Sequence, residues 1–80
     1  MITLPMKGPG VAMVQFNNCG DGTVTLSVDG RAIAYSAKGD DVSQAFAVGN
    51  TATVELQADD SAVINVIKVT MHCTGGRWVG

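Results

Sequence analysis

Thr23-Val24-Thr25-Leu26-Ser27-Val28-Asp29-Gly30-Arg31-Ala32-Ile33-Ala34-Tyr35-Ser36 is the stretch that decides the fold class of this chain. Hydroxyl and aliphatic side chains alternate strictly from 23 to 28. That puts Val24, Leu26 and Val28 on the buried face of a strand and the hydroxyls on the wet face. Asp29-Gly30 then supplies the two φ > 0 positions that a type I′ turn requires, and 31–36 returns as the antiparallel partner.

The same punctuation recurs on both sides of this hairpin. Asp21-Gly22, Gly39-Asp40, Gly49-Asn50 and Asp59-Asp60 cut residues 11–73 into runs of strand length. Val11 to Asn17 reads as a strand with Val11 and Met13 on one face and Ala12, Val14 and Phe16 on the other. Thr51 to Ala58 alternates, with Ala52, Val54, Leu56 and Ala58 inward. Ala62 to Cys73 is long and rich in Val and Ile, with Val63, Ile67, Val69 and Met71 assigned to one side. Such richness suits a central or strongly twisted strand. Residues 42–48 admit a short helix capped by Asp40 or Asp41, but their neighbours on both sides are strands, which favours a strand. The expected fold is all-β: one small antiparallel β-sandwich, jelly-roll or Greek-key-like, of about 6–7 strands over residues 1–80.

Composition bounds what this domain does. With 80 residues, 46% hydrophobic and 15% charged, the chain is far from the disordered regime. A core of this size leaves a thin stability margin. The net charge is −2, and Lys7, Arg31, Lys38, Lys68 and Arg77 are dispersed. No basic patch is there to meet nucleic acid or an anionic membrane surface. No apolar run approaches the ~20 residues needed to span a bilayer as a helix. The first 20 residues lack the pattern of a secretion signal, since Pro5, Gly8, Pro9 and Gly10 interrupt it.

Two cysteines, Cys19 and Cys73, flank the strands. A disulfide between them would be worth ~4 kcal/mol on the chain-entropy model, but requires their Cα atoms to lie about 4.4–6.8 Å apart. Two reduced thiols are the alternative for a protein assembled in a cytosol. A zinc site from Cys19, His72 and Cys73 is disfavoured, because His72 and Cys73 are adjacent strand residues that point to opposite faces.

Nothing in the sequence spells out catalysis. A single histidine, His72, lacks a recognisable nucleophile and orienting carboxylate, so no enzyme activity, cofactor or metal site is expected. Six of the seven acids, Asp21, Asp29, Asp40, Asp41, Asp59 and Asp60, fall in turns, where Asp commonly bonds the backbone two residues on. Calcium held by Asp40-Asp41 and Asp59-Asp60 is the competing use of the same residues.

The termini point to a partner. Residues 1–10 read as an extended arm carrying Ile2, Leu4 and Met6 on one side, with prolines that forbid a helix; arm and tail either reach a partner or fold back on their own sheet. The tail 74–80 carries Arg77, Trp78 and Val79 behind Gly75-Gly76, and Arg and Trp are enriched at interface hot spots. The expected function is a structural assembly protein docking through sheet edges and termini, either on copies of itself or on a larger protein lattice. A virion component, as a capsid decoration or accessory protein, fits this size and composition; the expected location is the virion or the extracellular space. The alternative is a carbohydrate-binding or adhesion module, with Tyr35 and Trp78 as its exposed rings.

Overall fold

A computed structural model describes residues 1–59 and 61–73, with seven antiparallel strands and no helix among them. The strands are β1 (Ile2–Lys7), β2 (Gly10–Asn18), β3 (Val24–Val28), β4 (Arg31–Ser36), β5 (Asp41–Val48), β6 (Thr51–Ala58) and β7 (Ile64–Cys73). Two sheets result, a four-stranded one in the order β1-β6-β3-β4 and a three-stranded one in the order β5-β2-β7. The pairings are nested: β3 bonds β4, β2 bonds β5 and β1 bonds β6, after which β6 also bonds β3.

Alternation in the sequence becomes alternation of burial. Val14 and Phe16 of β2 meet Val24, Leu26, Val54 and Leu56 of the other sheet in one fully buried cluster. Removing such side chains from water is the dominant favourable contribution to the fold, roughly 1.5–3 kcal/mol for each. A second cluster of Ala12, Val48 and Ala52 extends the core towards the β1–β2 turn, with Met6 and Met71 packed on it. The hairpin turn forms as its sequence requires, with Asp29 at φ 51° and Gly30 at φ 83°. Asp29 also reaches sideways, its Oδ1 accepting from the Thr53 N–H at 2.8 Å while its own N–H donates to the Thr53 carbonyl.

Residues 42–48 lie within strand β5, with Val42, Gln44 and Phe46 half-buried and Val48 buried. Two expectations about the ends of the chain need correcting. The presumed arm is an edge strand: β1 pairs with β6 from Ile2↔Leu56 to Lys7↔Thr51, and Ile2, Leu4 and Met6 pack on the chain's own core. Pro5 is compatible with this, because an edge strand leaves one side's donors unused. Of the two readings of the last strand, central or strongly twisted, the central one does not hold. β7 is the outer strand of its sheet, and β2 is the middle one.

A bulge explains why the faces of β7 differ from a simple alternation. The register runs Gln15↔Lys68 but Phe16↔Val66, which leaves Ile67 as the extra residue. Ile64, Val66, Val69 and Met71 therefore share the face opposite Asn18, Phe16, Val14 and Ala12, and Asn65, Lys68, Thr70 and His72 share the outer face. One inserted residue inverts the phase of everything beyond it.

Candidate docking edge

Around the C-terminal end of β2 the loops are fixed by a buried amide. Asn18 is 1% exposed; its Oδ1 accepts from the backbone N–H groups of Gly20 (2.9 Å) and Val63 (3.0 Å). Its Nδ2 donates to the carbonyl of Gly22 at 2.9 Å and leans on that of Ser36 at 3.4 Å. One side chain thus ties together the β2–β3 loop, the end of β4 and the approach to β7. Gly20 belongs to the same junction, since a Cβ there would collide with the Ser61 carbonyl oxygen.

This junction leads the chain into β7, at 10 residues the longest strand described, whose outer edge pairs with no other strand among the described residues. Val63 is 52% exposed and Ile67 55%, with Val66 at 37% and Val69 at 36%. Val66 and Val69 lie on the inward face, so the opposite sheet does not cover them fully. Lys68 is the single Lys, Arg, Asp or Glu in the strand. The remaining edges are better guarded: β1 carries Pro5 and ends at Lys7, and β4 and β5 lie beside each other where Ser36 Oγ donates to the Asp40 carbonyl at 2.7 Å. Long, apolar, uncharged edges recruit other strands, because their unpaired N–H and C=O groups form a ready template.

The residues expected to bind a partner are distributed as follows. Ile2, Leu4 and Met6 are half-buried against the core, on the inward side of an edge strand. Arg77, Trp78 and Val79 lie outside the described residues. The β7 edge was not anticipated as a docking surface, although its Val and Ile content was the available signal.

An intramolecular disulfide is ruled out by register. Cys73 sits opposite Gly10, whereas Cys19 follows Asn18 at the far end of β2 and its N–H donates to the Val63 carbonyl. At about 3.4 Å per residue the two ends of β2 are ~27 Å apart, several times the reach of a disulfide. Cys19 is an exposed free thiol, 3.3 Å from Asn17 Oδ1. The same separation keeps it from His72, which stands exposed on the outer face opposite Val11, so neither a Cys-His pair nor a shared zinc ion is assembled from them.

Of the turn aspartates, Asp60 lies outside the described residues, and Asp21, Asp29, Asp41 and Asp59 have local partners. Asp59 Oδ1 accepts from the Thr23 N–H at 2.6 Å, Asp41 Oδ1 accepts from Asn17 Nδ2 at 2.9 Å, and Asp21 pairs with Lys38 at 3.1 Å. Among the described residues no three His, Cys, Asp or Glu groups are close enough to share a metal ion. A shallow groove of about 340 Å³ lies between the β3–β4 turn and β5, lined by Val28, Asp29, Arg31, Ile33 and Phe46. No protein-family model matches this chain, and searches of curated proteins and of solved structures returned no match.

Proposed function

We propose that this chain is a structural assembly module without catalytic activity, which docks on protein through its sheet edges. The observation that carries this reading is the β7 edge, where Val66, Ile67 and Val69 are exposed along one strand that has a single charge. In water such an edge is stable only as long as nothing pairs with it. A virion component, as a capsid decoration or accessory protein, remains the setting we favour, on size and composition alone. We also propose a jelly-roll-like sandwich for the whole domain; the nested β3·β4, β2·β5 and β1·β6 pairs, with β6 folded back on β3, support it.

Light scattering across a concentration series tests the assembly reading. A defined oligomer that grows in with concentration is the expected result; a monomer up to the solubility limit overturns self-assembly. A carbohydrate-binding or adhesion module is the second reading. Tyr35 favours it, being 63% exposed on the outer face of the four-stranded sheet, in register with Thr25, which pairs with Gln57 on its other side. One ring is a small platform for a sugar. Glycan-array binding by the wild type, lost in Tyr35→Ala, would move the choice to that reading.

A further inference from the structure

We propose that the β7 edge is completed by β7 of a second copy, paired antiparallel about a two-fold axis through Thr70. This rests on the assembly reading above and names its partner. The product is a continuous six-stranded sheet, β5-β2-β7 from one copy followed by β7-β2-β5 from the other.

Three observations select a second copy in this orientation. The first is strand direction. β5 and β7 both run antiparallel to β2, so they run parallel to each other. Head-to-tail stacking of β7 on a neighbour's β5 would make a parallel pair inside an otherwise antiparallel sheet, and would not close. A two-fold arrangement makes an antiparallel pair and closes at two copies.

The second is the phase of the side chains. Beyond the bulge at Ile67, residues 68–73 form a regular segment that alternates without interruption. An axis at Thr70 sets Val69 against the second copy's Met71 on the inward face. On the outer face it sets Thr70 against Thr70 and Lys68 against His72. Every pair matches inward with inward and outward with outward, which an axis between two residues cannot do, because the side-chain period is two.

The third is charge. Lys68 is the one formal charge in β7, and this register opposes it to His72 rather than to another Lys68, avoiding like charges directly opposite. Val69, 36% exposed in the single chain, then gains an apolar neighbour in Met71, and Thr70 gains a cross-strand hydroxyl partner. The bulge at Ile67 ends the pairing on one side. The contact is consequently a short ladder centred on residues 68–72, and it reads as a concentration-dependent dimer.

Cysteine cross-linking reads this register directly. In a Cys19→Ser, Cys73→Ser background, Thr70→Cys places two thiols opposite each other, and mild oxidation at a concentration where the oligomer is populated should give a covalent dimer. Met71→Cys, one residue on, faces Val69 and should remain a monomer, while Val69→Cys combined with Met71→Cys should cross-link. Val69→Lys, with its fold verified by circular dichroism, should weaken association at least tenfold. If light scattering shows an oligomer but Thr70→Cys does not cross-link, or Val69→Lys leaves the mass unchanged, the β7 pairing is overturned and the broader assembly reading stands. If the wild-type chain is monomeric throughout, both are overturned.

Discussion

Asn18 sits where three loops would otherwise separate, and it satisfies two backbone N–H groups and a carbonyl in a buried place. Buried polar groups that lose a partner cost about 1–3 kcal/mol each, so Asn18→Ala should remove at least ~2 kcal/mol, measured by urea unfolding. In a domain this small that is a large share of the total, and some unfolded protein at 37 °C is the expected companion result. Nothing in the sequence distinguished Asn18 from its neighbour Asn17. Asn17 bonds Asp41 at the surface, and only the parity of β2 decides which of the two faces inward. At Cys19 the expectation is chemical: the exposed thiol should react with Ellman's reagent in the native protein. Reductant should leave Tm unchanged, whereas losing a native disulfide would cost about 2–5 kcal/mol. Cysteine count and spacing carried no information about this, because the distance between the two residues depends on register.

At the scale of elements, the legible strands were those with one wet face. β3 and β6 alternate hydroxyl or polar with aliphatic residues; of the residues the alternation assigned inward, Val24, Leu26, Ala52, Val54 and Leu56 are buried, while Val28 and Ala58 are half-buried against the core. β1 was harder. Its alternation was visible, but Pro5 read equally as a sign of a free arm, and only the pairing with β6 shows that the proline lies on a guarded edge. Deleting residues 1–7 should therefore destabilise the domain, because it strips Ile2, Leu4 and Met6 from the core. The expected observation is a lower, broader thermal transition; an unchanged Tm would return those residues to the status of a dispensable arm. β7 misled for the opposite reason. Its Val and Ile content suggested a central strand, but the bulge at Ile67 puts Ile64, Val66, Val69 and Met71 on the inward face and Asn65, Lys68, Thr70 and His72 on the outer one, in a strand that ends its sheet.

For the whole molecule, the free energy of the single copy and its proposed association are two sides of one arrangement. Two sheets share a small core, four strands have an outer edge among the described residues, and three of those edges are proline-bearing or set beside one another. β7 remains, and in the proposed pairing Val69 and Met71 would meet a second copy. Binding that favours the folded state raises apparent stability by mass action, so Tm should climb with protein concentration in the wild type and stay flat in Val69→Lys. Amide hydrogen exchange, followed strand by strand at low and high protein concentration, tests the central claim most directly. Protection should rise with concentration at residues 68–72 of β7 and stay constant along β1 and β5. Exchange in β7 that is independent of concentration, or protection that rises on another edge instead, would contradict it.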